Sequence, residues 1–528
     1  MASLQTIVLL VAVLIVVALA AQRLRISPPV LMVMAGIALA LVPGLPAFEL
    51  SPELVLLFVL PPVIYSSGVS MSWREFRYNL RPIGLLAVGG VLCTTSALAV
   101  TLHYLLGLPW ALGFLLGAIV SPPDAIAPLA IMRELGAPRR LLVVLEGEGL
   151  VNDAIALVVY RFAVAAVVSG AFSMSAALAR FGVIVVGEIG YGLVVGWLSL
   201  RLRAWAHNPR IEIVMSLMTP YLAFWPPAHL GGSGVLATVA TGLYVSWTGP
   251  LQISASTRLQ GIFFWDLTVY LIDGLIFLYT GLQLRVLVEH VHVHELQWML
   301  TATAITTGIA IAVRFLWMFP ATYVPRWASK KLAARDPAPA WPAPFMISFT
   351  GIRGVVSLAA ALALPMTIRD GTPFPHRDLF LFVAFGVIVV TLVGQGLALP
   401  RLLQRLGLTR GGAEERRREL AEERAARHHV AEIGTRRLEA IANERTIPEP
   451  VIAHVRTAIE RQRHAALDAP DELDQTIDDL LIEVIAEQRQ VLHALLREGK
   501  LSDESRRRLE RQLDLEEEAL RHGLDVVL

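Results

Sequence analysis

Long apolar stretches separated by short polar segments fill the first three quarters of the chain. A helix that crosses a bilayer needs about 20 mostly apolar residues, and this pattern predicts roughly thirteen such helices. The predicted spans are 4–22, 28–43, 51–69, 82–106, 110–133, 139–168, 175–202, 211–226, 231–248, 258–284, 295–324, 343–364 and 378–406. The chain is therefore predicted to be an all-α integral membrane protein of the multi-pass type.

The pattern changes near residue 411, where charged residues alternate with Leu, Ile, Val and Ala at helical spacing. Pro448, Pro450 and Pro470 divide this tail. Its sequence contains no nucleotide-binding loop, metal cluster or catalytic motif. We therefore expect a transmembrane domain at 1–408 and a cytosolic helical domain at 409–528, the latter with a regulatory or dimer-supporting role.

Composition and charge agree with this division. The chain is 55% hydrophobic and 17% charged, whereas soluble domains carry about 25% charged residues. Residues 1–410 hold 26 Lys and Arg and 17 Asp and Glu, and the totals of 45 and 44 leave 19 and 27 for the tail. The basic residues lie between apolar spans, so no nucleic-acid partner is expected. A single cysteine, Cys93, excludes an internal disulfide.

The loops between the spans predict the orientation. Cytoplasmic loops are enriched in Lys and Arg, and here the odd-numbered loops hold 16 such residues against 3 in the even-numbered loops. The N-terminus is therefore expected outside and the tail in the cytoplasm, in a cell (inner) membrane. The first helix is expected to be retained, because no basic residue precedes it as in a signal peptide.

Polar residues interrupt three of the spans, and ionisable groups at membrane depth are functional candidates. The fifth span contains Ser121-Pro122-Pro123-Asp124. Two prolines remove two amide donors and break a helix. Irregular backbone within a membrane persists only where protein buries it or where it lines a wet cavity. The break exposes carbonyl oxygens beside a carboxylate, which predicts a site for a hard cation.

The sixth span carries Glu148, Asn152 and Asp153. Glu148 and Asn152 are four residues apart and share a helix face, while Asp153 lies about 100° further round. The twelfth span carries Arg353 between Gly351 and Gly354. A buried arginine stays charged and needs an acid, and Glu148 is the expected partner.

The fifth and twelfth spans hold the same position if spans 1–6 and 8–13 are two copies of one unit. Paired interrupted helices are typical of the binding site of a secondary transporter built from inverted repeats. The residues themselves show no clear repeat, so this prediction depends on position.

Five motifs in order resemble the sodium/proton exchanger family, in particular its bacterial NhaP-type branch with an Asn-Asp pair. They are Leu60-Pro61-Pro62, Asp124 at the broken helix, Glu148 with Asn152-Asp153, Asp273 with Phe277 and Gly281, and Gly351-Ile352-Arg353-Gly354. The resemblance covers about residues 5–408. It implies two inverted repeats with two broken helices that cross, a homodimer, and a transport core that moves against the dimerising domain.

The resemblance also implies roles for single residues. Asp153 is the proton and cation carrier, and Asp124 with the Pro123 carbonyl completes the ion site. Asn152 holds the broken helices in register, and Glu148 with Arg353 forms the structural pair behind them. Members with the Asn-Asp pair are similar in exchanging one cation for one proton, which implies electroneutral transport. No cofactor and no catalysis are implied.

Three positions depart from the family pattern. Ser66 stands where many relatives have an acid, Gly149 where many have a serine, and Pro123 where a threonine precedes the broken-helix aspartate. Ser66, Ser121 and Asp273 are therefore auxiliary candidates for the ion site. The ion stays open between Na⁺ and K⁺ or Li⁺.

Two other functions stay open beside sodium/proton antiport in pH and salt homeostasis. One is a K⁺-selective antiporter, and the other is a membrane sensor that signals through its tail without transport. A hydrolase is not expected, because no Ser/His pair or histidine-rich span accompanies the acids. Since a carboxyl group in a low-dielectric cavity is harder to ionise, one acid can hold either a proton or a cation.

Overall fold

The computed structural model describes residues 4–24, 26–43, 52, 54–170, 173–290, 293–368, 371–445, 447–467, 472–497 and 503–521. Within these ranges the chain forms helices and one isolated β-bridge, between Thr367 and Pro373, and no β-strand. The all-α prediction is confirmed for the described residues. The chain divides into two compact units, Met1–Ala413 and Glu414–Leu528.

The helices of the first unit follow one another with short connections. They are α1 (Leu4–Leu24), α2 (Pro28–Ala40), α3 (Leu60–Ser70), α4 (Trp73–Tyr78), α5 (Leu80–Gly84), α6 (Val91–Leu106), α7 (Trp110–Val120), α8 (Ile126–Glu134), α9 (Arg139–Ser169), α10 (Met174–Ala206), α11 (Pro209–His229), α12 (Val235–Thr248), α13 (Ala255–His290), α14 (Val293–Ala328), α15 (Lys330–Arg335), α16 (Pro342–Phe349), α17 (Val355–Leu362), α18 (Arg377–Val389) and α19 (Gly396–Arg405).

Short π-helical turns lengthen three of these helices. Leu54–Val59 leads into α3, Leu85–Gly90 joins α5 to α6, and Val390–Gln395 joins α18 to α19. Six continuous segments of the described chain are long and apolar enough to cross a membrane, and several shorter apolar helices accompany them. The six are the α5–α6 run, α9, α10, α13, α14 and the α18–α19 run.

The second unit is formed by most of α20 (Leu408–Glu444) with α21 (Glu449–Leu467), α22 (Glu472–Arg497) and α23 (Asp503–Arg521). An ion-pair network joins α22 to α23. Arg489 pairs with Asp514 at 2.6 Å and also with Glu517. Exposed pairs of this kind stabilise a helix pair by at most about 1 kcal/mol each.

Helix α11 extends past the predicted end of its span at 226, to His229, and includes Pro226 and Pro227. Pro226 cannot donate a hydrogen bond to the carbonyl four residues earlier, which is that of Leu222. The hydroxyl of Tyr191 donates to this carbonyl instead, at 3.0 Å. Neighbouring side chains that satisfy freed carbonyls allow prolines inside membrane helices, so α11 continues.

Two predicted spans each contain two helices. The span at 110–133 divides into α7 and α8 around residues 121–125, and the span at 343–364 divides into α16 and α17 around residues 350–354. The largest apolar core surrounds these breaks, with fully buried side chains from several helices. Among them are Leu115 of α7, Leu358 of α17, and Phe380 and Val383 of α18.

Candidate functional site

The two broken helices meet at their breaks. The backbone N–H of Asp124 donates to the carbonyl of Ile352 at 2.7 Å. Because each break leaves backbone groups without helical partners, this contact satisfies one group from each. A Cβ atom added at Gly354 would lie 2.5 Å from the Cβ of Asp124, so the crossing has no room for a side chain there.

Helix α9 is tied to the first break through Asn152. This side chain is fully buried, and its Nδ2 donates to the carbonyl of Pro123 at 2.8 Å. Pro123 lies between the end of α7 and the start of α8, and the amide of Asn152 supplies the donor for its carbonyl. The other amide atom, Oδ1 of Asn152, is buried and has no hydrogen-bond partner among the described residues.

Asp124 occupies the start of α8. Its Oδ1 accepts from the backbone N–H of Ile126, the first residue of α8, at 3.1 Å, close to the helix end at which the dipole favours negative charge. The second oxygen, Oδ2, is buried without a hydrogen-bond partner in the described part of the chain. Half of this carboxyl group is therefore held in place, and the other half can accept a ligand.

A cavity of about 50 Å³ lies beside the crossing. Asp124, Asp153 of α9 and Asp273 of α13 line it, together with Pro122 and Ser357 of α17. Oδ1 of Asp273 and Oγ of Ser357 are buried and have no partner among the described residues. The remaining lining is apolar, with Val59, Phe277 and Val355 among it. Such a volume holds a small cation with very few waters.

Asp153 differs from the other two acids on α9, Glu146 and Glu148. It makes no hydrogen bond or ion pair with any described residue. Its carboxyl group lines a cavity that contains two further carboxyl groups. Buried acids are normally paired or hydrogen-bonded, so an unbonded acid in this position marks a site for an exchangeable ligand.

Glu148 pairs with an arginine that the sequence reasoning passed over. Arg314 of α14 donates from Nη1 to Oε1 of Glu148 at 2.6 Å and from Nη2 to Oε2 at 2.9 Å. The predicted pair of Glu148 with Arg353 is therefore wrong. Arg314 is a lone arginine in the apolar stretch 295–324, so it carries the same sequence signal as Arg353. Only the packing of α14 against α9 decides between them.

Arg353 instead bonds to backbone carbonyls. It is 1% exposed, its Nε donates to the carbonyl of Val120 at 2.8 Å, and its Nη1 donates to the carbonyl of Gly351. Its own backbone N–H donates to Oγ1 of Thr391 at 3.0 Å. The last carbonyls of a helix carry partial negative charge. The guanidinium therefore neutralises the carbonyl end of α7 and joins both breaks.

Two of the three auxiliary candidates lie elsewhere. Ser66 lines a separate cavity with Arg203 and Trp265. Ser121 lines the small space beside Arg353, and its Oγ donates to the carbonyl of Ala118 at 3.4 Å. Asp273 is the candidate that lines the carboxylate cavity. Ser357, which the sequence reasoning missed, also lines it. The sequence feature that could have identified Ser357 is a hydroxyl side chain in the first turn of α17, three residues after Gly354.

Comparison with known proteins identifies the family. The sequence pattern of the transmembrane sodium/hydrogen exchanger family matches residues 9–405. An uncharacterized Na⁺/H⁺ exchanger of Mycobacterium tuberculosis is 34% identical over 525 residues, with 97% of this chain and 95% of that protein covered. A sodium, potassium, lithium and rubidium/H⁺ antiporter of Bacillus pumilus is 32% identical over 72% of this chain and 58% of its own length.

Solved structures give the fold. The sodium proton antiporter MjNhaP1 of Methanocaldococcus jannaschii, solved at pH 8, matches with a TM-score of 0.57 at 17% identity. The match covers 77% of this chain and 99% of that protein. At this level of identity the match shows a shared fold. The sodium/proton exchanger family predicted from the motifs is confirmed, and the chain belongs to the transmembrane sodium/hydrogen exchanger family.

Proposed function

We propose that this antiporter exchanges Na⁺, or K⁺ or Li⁺, for H⁺ across the membrane, with Asp153 as the shared carrier of proton and cation. The observation that carries the proposal is the contrast along α9. Glu148 is fully paired with Arg314, while Asp153 lines the carboxylate cavity without a partner among the described residues.

The ion site is formed by oxygen atoms that have no other partner. Among the described residues they are the Asp153 carboxylate, Oδ2 of Asp124, Oδ1 of Asp273 and Oγ of Ser357. The Pro123 carbonyl, a further proposed ligand, accepts from Asn152, and Pro123 lines the neighbouring space beside Arg353. Ser66 stands where many relatives have an acid, and Asp273 and Ser357 supply oxygen atoms in place of that acid. Hard monovalent cations take carboxylate, carbonyl, hydroxyl and water oxygens, in the manner of other hard ions.

Exchange follows from the charge of the cavity. Carboxylates that share a low-dielectric cavity repel one another, and either a proton or a cation relieves this repulsion. Cation binding therefore displaces the proton from Asp153, and proton binding displaces the cation. If the core cannot move with the empty charged site, the two ions must cross in opposite directions, one for one.

Electroneutral exchange is supported by Asn152. This amide is neutral and its Nδ2 is occupied by the Pro123 carbonyl, so Asp153 is the one group of the Asn-Asp pair that can exchange a proton. The test is the exchange rate in vesicles at an imposed membrane potential. A rate that is independent of the potential supports one cation for one proton, and a potential-dependent rate contradicts it.

The architecture that we propose for the transmembrane domain has thirteen spans in two inverted repeats. The support is positional: α7 with α8 is followed by α9, and α16 with α17 is followed by α18, so each broken helix stands second to last in its block of six. Alternating access then requires the crossing to move against the remaining helices. We further propose a homodimer, an external N-terminus and a cytosolic regulatory domain at 409–528.

Ion selectivity is the first measurement. The pure protein is reconstituted in sealed vesicles with a trapped pH dye, and Na⁺, K⁺, Li⁺ and Rb⁺ are added in turn at equal ionic strength. We expect proton movement with Na⁺, and the B. pumilus relative, named for four cations, supports a range beyond Na⁺. Proton movement with K⁺ alone would make the protein K⁺-selective. No response to any cation, with or without residues 411–528, would favour the sensor.

A further inference from the structure

Away from the ion site, one carboxylate holds three arginines together. Asp336, in the connection between α15 and α16, accepts from Arg81 at 2.8 Å, from Arg140 at 2.6 Å and from Arg326 at 2.8 Å. Arg326 also donates from Nε to the Asp336 carbonyl at 3.0 Å and from Nη1 to the Thr322 carbonyl. Segments that are distant in sequence, α5, α9 and α14, thus converge on one acid.

The cluster has more positive charge than its acid can neutralise. Three guanidinium groups face one carboxylate, which leaves two positive charges. Nη1 of Arg81 is buried and has no hydrogen-bond partner in the described part of the chain. The side chain of Arg140 is 39% exposed, and one of its nitrogens donates to Asp336.

Two acids nearby in sequence, Glu75 and Glu146, are already engaged. Glu75 pairs with Arg139 at 3.0 Å, and Glu146 pairs with Arg133 at 2.7 Å. Like charges held close together are unfavourable without a compensating anion. The cluster therefore has the charge and the unused donors to bind a second anion.

The same three arginines line a cavity of about 200 Å³. The three arginines belong to its lining, whereas Asp336 does not. The rest of the described lining is almost entirely apolar, and it includes Leu85, Leu141, Val144, Met318, Ala321 and Ile347. One end of the cavity is therefore cationic and its body is hydrophobic.

We propose that this cavity binds an anionic phospholipid, with the phosphate at Arg81 and Arg140 and part of an acyl chain against the apolar wall. Guanidinium groups bind phosphate oxygens through charge-assisted hydrogen bonds, and basic pockets between transmembrane helices bind anionic lipid headgroups. A free phosphate ion would satisfy the arginines but would leave the apolar wall uncovered. The amphipathic character of the cavity selects the lipid.

The test measures lipid binding to the purified full-length protein by native mass spectrometry and by thermal unfolding. Phosphatidylglycerol is compared with phosphatidylcholine, in the wild type and in the double variant Arg81→Gln/Arg140→Gln. We expect a bound phosphatidylglycerol that stabilises the wild type more than phosphatidylcholine does. Since each basic residue contributes about 1 kcal/mol to such binding, the double variant should bind roughly thirty-fold more weakly.

Two controls separate this site from general effects. Arg139→Gln removes the neighbouring arginine, which does not line the cavity, and should keep the preference for phosphatidylglycerol. Arg81→Lys/Arg140→Lys keeps the charge and should keep most of the preference, which protects the test if the Gln variant unfolds. Equal loss in the Arg139 and Arg81/Arg140 variants, or no preference in the wild type, would overturn the proposal.

A further pair of measurements distinguishes a lipid from a free anion. Ala321→Leu reduces the apolar cavity without changing charge, and should weaken phosphatidylglycerol binding. Inorganic phosphate alone should stabilise the wild type much less than phosphatidylglycerol does. Equal stabilisation by phosphate, together with an unchanged Ala321→Leu variant, would show an anion site without a lipid and would contradict the proposal.

Discussion

Helix α9 carries two acids five residues apart that meet different surroundings. Glu148 is 2% exposed, and each of its two carboxylate oxygens accepts a hydrogen bond from Arg314. Asp153 lines a cavity with Asp124 and Asp273 and has no partner among the described residues. The same side-chain chemistry on one helix thus serves two purposes. The partner across the helix interface decides which acid is held in an ion pair and which faces the cavity.

The breaks in the two crossing helices show a related division. The first break directs Asp124 and the Pro123 carbonyl toward α9, whereas the second break supplies Gly354, which leaves space, and Arg353, which binds carbonyls. One break therefore contributes oxygen atoms, and the other contributes positive charge and space. Similar interruptions in two helices need not have similar chemistry.

The largest effect is expected from Asp153→Asn. The amide keeps the shape of the side chain but cannot exchange a proton, so cation-dependent proton movement in vesicles should fall to the background of empty vesicles. Asp266→Asn is the matched control, since Asp266 lies in a membrane helix and lines a different cavity. It should retain exchange. Persistent pH-dependent exchange in Asp153→Asn would remove Asp153 from the carrier role.

The next effect concerns stability. Glu148→Ala and Arg314→Ala each leave an uncompensated buried charge, which costs about 3–5 kcal/mol. The double variant should be destabilised by less than the sum, because it leaves neither charge alone. A thermal-unfolding double-mutant cycle in detergent measures the coupling. The corresponding cycle with Glu148→Ala and Arg353→Ala should show weaker coupling, and additivity of the Arg314 cycle within about 0.5 kcal/mol would contradict the pair.

A smaller effect is expected at the crossing itself. Gly354→Ala introduces a Cβ about where Asp124 lies, and overpacking of this kind costs about 1–3 kcal/mol. Asp124 must shift, so exchange should slow and the apparent cation affinity should fall. Gly182→Ala is the control, because nothing lies within 4 Å of a Cβ at that position. Wild-type exchange in Gly354→Ala would show that the crossing tolerates displacement.

The smallest effect is a pH dependence at Asp336. Burial alone would raise the pKa of this carboxyl, but the hydrogen bond from Arg140 and the charges of Arg140, Arg326 and Arg81 lower it below its usual value. A lowered pKa in the folded state stabilises the protein above the unfolded pKa of about 4. This stabilisation is lost as the pH falls through the lower folded value.

The corresponding measurement is the unfolding temperature between pH 7 and pH 3 for the wild type and Asp336→Asn. Asp336→Asn should unfold at a lower temperature near neutral pH and should lose less stability on acidification below about pH 4. Asp378→Asn controls for the removal of one acid. Parallel curves for Asp336→Asn and the wild type would contradict the lowered pKa.

Local chemistry made much of the site predictable. Two consecutive prolines remove two backbone donors, so the sequence predicts the break at residues 121–125. The pair Pro226-Pro227 shows that this signal needs its surroundings, because α11 continues through it. The family resemblance, rather than local chemistry, implied that Asn152 holds the broken helices in register, and its buried amide donates to the Pro123 carbonyl. These features depend on one segment or on two adjacent ones.

Contacts between distant helices were not predictable in the same way. The choice between Arg314 and Arg353 for Glu148 depends on how α14 packs against α9, and both arginines present the same sequence signal. The same holds for Asp336, whose partners come from positions 81, 140 and 326. Ser66 was an auxiliary candidate from a family position, yet it lines a separate cavity.

We propose that one carboxyl group, that of Asp153, holds either a proton or a cation. Its most direct test is proton release when NaCl is added to the pure protein in weakly buffered detergent solution, with the same ionic strength of choline chloride as the control. We expect the wild type to release protons as it binds Na⁺, and Asp153→Asn to release none. Sodium binding without proton release in the wild type, or equal release in both proteins, would contradict it.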